Sequence, residues 1–382
     1  MVRLPPSDQL LDSIRTSCAA STTRAAISID HQAIDTFIQT VGPEEWSALT
    51  GAEAHGVRLP LRFDSPEDEV NLVATLGLLN FLSGYRTPLH RLTGRGAYSA
   101  ILSLVLSSYL SGSTISSDEP SLLSAAGLRS VTPAALAGLA RIKTHNEKPH
   151  PTLGPAVTVG EKDEEAWEIL ELLANVCVQT GAVLQRESKA TLGEWVVAKL
   201  NETQGDVAKM VHALASTFPA FADAHVVDGE PVYLFKKALW LLTVITLRFA
   251  DEKPSFPLPE VDDTNLPIFA DNVLPSLLVH HGIISLSAST HPSLSALSLA
   301  DPSTLLLPHE AATGLRAASL TACSAMVIRA HELAKDDDGV SGGKEWLSTW
   351  TERKLDGFLW NWGKGEEGKA VARVGERGTV YY

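Results

Sequence analysis

The chain has 382 residues, 45% of them hydrophobic and 20% charged, with a formal net charge of -14. This composition suits a globular protein with a large core and excludes a disordered or coiled-coil chain. The acidic balance argues against a broad grip on polymeric nucleic acid or an anionic membrane, and leaves room only for a small anionic ligand in a local basic pocket.

Cys18, Cys177 and Cys323 are isolated, which predicts neither a disulfide framework nor a CxxC metal site and points to a reducing compartment. Pro5, Pro6, Asp8 and Asp12 interrupt the N-terminus where a secretory signal needs an apolar run. The longest apolar segment, 239–247, is shorter than the ~20 residues of a membrane span. The expectation is a cytoplasmic protein with no membrane partner.

In chain order, residues 1–27 carry little pattern beyond a short helix over 10–14. Asp30 then caps a helix whose Ile34, Phe37, Ile38 and Val41 share one face. A polar loop holding His55 follows, and 68–81 reads as a helix with Leu72, Val73, Leu76 and Leu79 inward. That helix runs into a Gly- and Pro-broken stretch where Asn80, Tyr85, Arg86, His90 and Arg95 concentrate polar chemistry, as a pocket rim or a solvated connection would. A helical stripe returns over 97–110, and Thr132-Pro133 opens another helix.

Residues 143–162 read as a long surface loop. Its His145 and His150 lack acidic or cysteine partners at metal-ligand spacing, so no metal site is expected. Helices follow over 164–184 and after the Asp206 cap. The strand signal is AHVVDGEPVYLF, where Asp228-Gly229 supplies hairpin turn chemistry near 224–234. Lys236 and Lys237 come next and open the apolar helix ALWLLTVITLRF. A lysine there either snorkels to water or is held inward by an acid or a phosphate.

The stretch LPIFADNVLPSLLVHHGIISL, 266–286, places one carboxylate, Asp271, inside an apolar run at a helix start. Such an acid is either a cap, shared with Asn272 as candidate, or part of a site. A long helix over 310–333 contains Arg316, and an amphipathic Trp-rich helix over 345–362 reads as core. No internal repeat, GxGxxG, GxxxxGK or GxSxG motif occurs.

FKKALWLL at 235–242, FAD at 269–271 followed by LP and HHGIISLS, LRAASL around Arg316, STFPAFADAHVVDGEPV, and the closing LDGFLWNWG with VYY together resemble the queuosine salvage family of queuosine 5'-phosphate N-glycosylases. The Asn80-Phe81 pair adds to the likeness, which runs from about residue 28. The resemblance implies a mainly α-helical single domain over 28–382, similar to DNA-glycosylase-like folds, with 1–27 as an N-terminal segment. It further implies hydrolysis of queuosine 5'-phosphate to queuine and ribose 5-phosphate, in salvage of queuine for tRNA modification. By motif position Asp271 and Lys236 are the implied catalytic pair, and the candidate substrate contacts are His55, Asn80, Phe81, Tyr85, Arg86, Phe269 and Arg316. The sequence departs from the family where Leu82-Ser83 replace a usual Phe-Trp and Asn272-Val273 replace a usual Tyr-Arg, which leaves Tyr85 and Arg86 to supply the lost surface. The expected ligand is a small nucleotide, with no cofactor and no metal. Two rivals are a non-enzymatic helical adaptor and the same fold acting on another modified nucleotide.

Overall fold

The computed structural model of the chain describes residues 2–50, 61–114, 121–150, 152–261, 266–335 and 343–382. The fold is mainly α, and among the described residues the named strands form three two-stranded antiparallel pairs. The chain divides into two compact units. The first comprises Met1–Arg62, Leu200–Ser216 and Phe221–Glu376, the second Phe63–Lys199, Thr217–Ala220 and Arg377–Tyr382.

The first unit is built on the 27-residue helix His309–Lys335. Its buried Ala317, Ala318 and Ala322 let other helices approach closely, and Leu10–Arg24, Val273–His280 and Glu352–Trp362 pack against it. Leu10–Arg24 is three times longer than the five-residue turn the sequence pattern suggests. Past Ile14 the buried face is made by Cys18, Ser21 and Thr22, small residues that give little hydrophobic signal but fit a close helix contact. Thr22 and Thr321 hydroxyls meet there at 3.1 Å.

Asp30 caps the helix His31–Thr40 as expected, its Oδ1 accepting the Ala33 N–H at 3.0 Å. Just before it, Ser28–Ile29 pairs with Ile284–Ser285. The Trp-rich C-terminal stretch is core, yet it is not one helix. A 3-10 turn, Glu345–Thr349, ends at the extended Trp350, and Thr351 then caps Glu352–Trp362 by accepting the Lys354 N–H. The break lets Trp350 lie flat on Trp46, with ring centroids 4.1 Å apart and planes 2° from parallel, while Phe358 stacks on the other partner at 5.4 Å.

In the second unit the helix Pro66–Leu79 starts earlier than its apolar stripe, because Ser65 caps it through the Asp68 N–H and Pro66 fits the first turn. All its residues from Glu69 onward are buried. The helix Glu164–Arg186 is capped by Asp163, whose carboxylate also takes both Nη1 and Nη2 of Arg91 at 2.6 and 3.1 Å. At Gly181 any Cβ would stand 2.4 Å from the Arg129 nitrogen, so the glycine is what lets Ala125–Ser130 cross this helix.

The surface loop expected over 143–162 is instead a hairpin, His145–His150 paired with Gly154–Lys162. Both of its faces meet solvent, with Val157 and Val159 at least 40% exposed, so the one-sided alternation that marks a strand is absent. Gly154, at φ +83°, opens the second strand opposite His150, and Lys148 pairs with Glu161 across the strands. All three cysteines are buried and unbridged. Glu164–Arg186 and His309–Lys335 are long and apolar enough to cross a membrane, and each buries more than half of its apolar window within the fold.

Truncating Trp350 to alanine empties a fully buried aromatic site and removes the stack on Trp46. We expect a loss of about 3–5 kcal/mol, read as a lower urea midpoint; an unchanged midpoint would mean that the stack carries no weight in the first unit.

Candidate active site

Between the hairpin strand Glu230–Tyr233 and the helix Lys236–Phe249 the chain must turn sharply, and Phe235 makes the turn at φ 50°. A bulky residue in the left-handed region costs about 1–2 kcal/mol. The conformation is held by the backbone carbonyl of Asp223, which accepts the Leu234 and Phe235 N–H groups at 3.0 and 3.2 Å, and by complete burial of the Phe235 ring.

This turn puts Lys236 at the first helical position, 4% exposed. Burial, the largest influence, pushes its ammonium down from 10.5 to about 8, and Asp271 is the foremost charge acting the other way. A helix N-terminus is itself unfavourable for a cation, so the acid matters doubly. Lys237 is different. Burial and the like charge of Lys236 hold it well below the lysine range, and its Nζ lies 5.6 Å from the Phe221 ring centroid.

Leu266, Ile268, Phe269 and Ala270 are buried, and the chain then presents Asp271 half-buried. Of the two capping candidates, Asp271 does the work: its Oδ1 accepts the Val273 N–H at 2.7 Å. Asn272 turns inward and donates to the Val374 carbonyl at 3.1 Å. Among the described residues Oδ2 of Asp271 makes no hydrogen bond. Capping and a role in a site are therefore compatible, because each uses a different oxygen.

The FAD triplet occurs twice, and its other aspartate, Asp223, is buried to 1%. Its carboxylate takes Nη1 and Nη2 of Arg316 at 3.0 and 2.7 Å, Nε2 of His225 at 2.8 Å, and the Lys236 N–H at 3.1 Å. Burial opposes its ionisation, but the Arg316 charge and these bonds prevail and hold it well below the usual carboxylate range. Arg316, 2% exposed, spends Nε on the Ala270 carbonyl at 2.8 Å.

A third aspartate, Asp356, accepts the Phe269 N–H at 2.7 Å. Burial drives its carboxyl well above the usual range, and the charge of Asp271 adds to the push. On the far side of Asp223, the His225 ring meets His309 edge-on at 4.6 Å, and Glu376 binds His309 Nδ1 at 2.7 Å, raising the imidazole.

The structure thus brings Lys236, Asp271, Phe269 and Arg316 together in the first unit. Asp223, His225 and Asp356 join them without having been singled out in sequence. The signal for both aspartates was the one that marked Asp271, a lone carboxylate in an apolar run. Asn80, Phe81, Tyr85 and Arg86 belong to the second unit. There Phe81 and Tyr85 are buried, Arg86 is exposed, and the Tyr85 hydroxyl donates to Glu168 at 2.6 Å and accepts the Gly378 N–H at 2.9 Å. His55 lies outside the described residues.

A groove of about 630 Å³ lies elsewhere in the first unit, between Val2–Pro6 and the hairpin residues Val226, Pro231 and Tyr233. Asp228, His291 and Glu310 bring three potential metal-ligating atoms within 4.8 Å of one another, with both carboxylates facing solvent. Water satisfies acids so placed, and they stand apart from the charges that act on Lys236.

Lys236, Asp271, Asp223, Arg316 and Asp356 all fall within residues 157–382, the span matched by the family model described as queuosine salvage protein. No curated protein matches the chain. Since the matched span exceeds half the chain and includes every buried charge of the cluster, the protein belongs to the queuosine salvage protein family.

Proposed function

We propose that the chain is an N-glycosidase that hydrolyses queuosine 5'-phosphate to queuine and ribose 5-phosphate. Its family assigns it to queuosine salvage. The reaction itself is our reading, and one observation carries it: a buried lysine whose foremost opposite charge is a half-buried carboxylate, Oδ2 of which makes no hydrogen bond among the described residues.

Breaking the bond between the anomeric carbon and the base nitrogen sends the electron pair to the base and leaves positive charge on the sugar. A carboxylate beside that carbon stabilises the developing cation. Water supplies the new C–O bond, and the proton it loses ends on the departing base. Asp271 serves whether it attacks the carbon first or deprotonates the water, since both routes use Oδ2. Lys236, buried to 4% exposure, is the cation on which the Asp271 charge acts, so it adds a fixed positive charge to the site. The substrate is a small nucleotide, and the chemistry described needs no metal from the protein.

Asp271→Asn preserves the Oδ1 acceptor that starts the helix but removes the charge. We expect queuine release from queuosine 5'-phosphate, followed by chromatography, to fall by about 10²-fold or more. Release at the parent rate would remove Asp271 from the reaction, and faster cleavage of another nucleoside 5'-monophosphate in a panel would reassign the substrate.

Lys236 is cationic below about pH 8 and neutral above it. The rate constant kcat/KM should therefore fall as pH rises through about 8, with the limb absent from Lys236→Met. A profile flat to pH 10 in the parent would exclude a role for the ammonium.

A further inference from the structure

We propose that Asp223 is a positioning residue for this site, one buried carboxylate that holds the backbone under Lys236 directly and the backbone before Asp271 through Arg316. The inference rests on the glycosidase reading for its chemistry and on independent contacts for its geometry.

The two reacting groups are 35 positions apart in sequence and sit on different segments, so something must fix their separation. The Lys236 N–H bonds Oδ2 of Asp223, the same oxygen that receives Arg316 Nη2. The guanidinium's third committed nitrogen, Nε, reaches the carbonyl of Ala270, the residue before Asp271. Each end of this link thus lands on, or next to, a group that the mechanism uses. A buried ion pair serving the fold alone would have no reason to end at those two peptides. The backbone carbonyl of Asp223 holds the Leu234 and Phe235 N–H groups, a contact that Asp223→Asn retains, so that variant tests the carboxylate alone. Displacements near 1 Å at such sites cost about 10²-fold in rate.

The link is electrostatic as well as mechanical. Among the described residues, the charges that act on Lys236 include Asp271, Asp223 and Asp356, which favour the ammonium, and Arg316, which opposes it. Lys237 feels Lys236 in turn, and His225 binds Asp223 on its other side. Removing the Asp223 charge takes away one that favours the ammonium and so lowers the lysine's titration. Removing Arg316 leaves Asp223 uncompensated and raises it. These displacements report how close the pair lies to Lys236, while kcat at unchanged KM reports positioning.

The test compares Asp223→Asn and Arg316→Gln with the parent, using carbon NMR of labelled lysine to follow Lys236 against pH and queuine release to follow catalysis. We expect opposite displacements of the Lys236 titration, with kcat down about 10²-fold and KM within about 2-fold in both variants. An unmoved titration in both, or a folded Asp223→Asn with parental kcat, overturns the proposal. A parent that releases no queuine, with the opposed displacements present, overturns the glycosidase reading alone. Should Asp223→Asn not fold, Arg316→Lys keeps the charge but loses the fork and the Ala270 bond. It is then expected to lower kcat about 10-fold with the titration unmoved, and full activity there overturns positioning.

Discussion

A carboxylate and a guanidinium, each at most 2% exposed, face one another inside the first unit, and much of the site's geometry hangs on that pair. Taking two such ions out of water costs several kcal/mol each, recovered only when nearly every lone pair and donor is used. Here they are used: Asp223 receives four side-chain or backbone donors on its carboxylate, and Arg316 places three nitrogens on protein acceptors. The completeness of that bonding is what makes the pair tolerable. Its position between a hairpin exit, a helix start and the loop leading to Asp271 makes it useful.

Around the pair, one residue type appears in three electrostatic conditions. Asp223 is surrounded by donors and held strongly acidic, Asp356 is held well above the carboxylate range by its burial, and Asp271 keeps contact with solvent. Groups whose environments push them apart in this way are how a single fold separates charge holders from proton carriers. The same logic distinguishes the two adjacent lysines. Lys236 feels the Asp271 charge most and remains within reach of protonation near neutrality, whereas on Lys237 the like charge of Lys236 outweighs the pull of Asp223.

Much of this was legible in sequence wherever chemistry and periodicity coincide. The Asp30 cap and the Asp228-Gly229 turn follow from side-chain oxygen and positive-φ preferences, both local properties. Lys236 and Asp271 stood out as charges in apolar runs. What stayed hidden depends on partners distant along the chain. The second half of Leu10–Arg24 is buried by serine, threonine and cysteine against an alanine-rich helix. The hairpin over 145–162 has no inner face to write an alternation. The interruption at Trp350 answers to Trp46, some three hundred residues away. Likewise nothing local says that Arg316 spends its donors on Asp223 and Ala270, or that the Tyr85 hydroxyl is shared between Glu168 and Gly378.

The burial of Lys236 carries a thermodynamic debt. Its folded titration near 8 lies below the 10.5 of an open lysine, so the folded state is penalised in full below about pH 8, and the penalty fades as pH climbs toward 10.5. An apolar side chain of similar length at this position would escape that penalty below about pH 8.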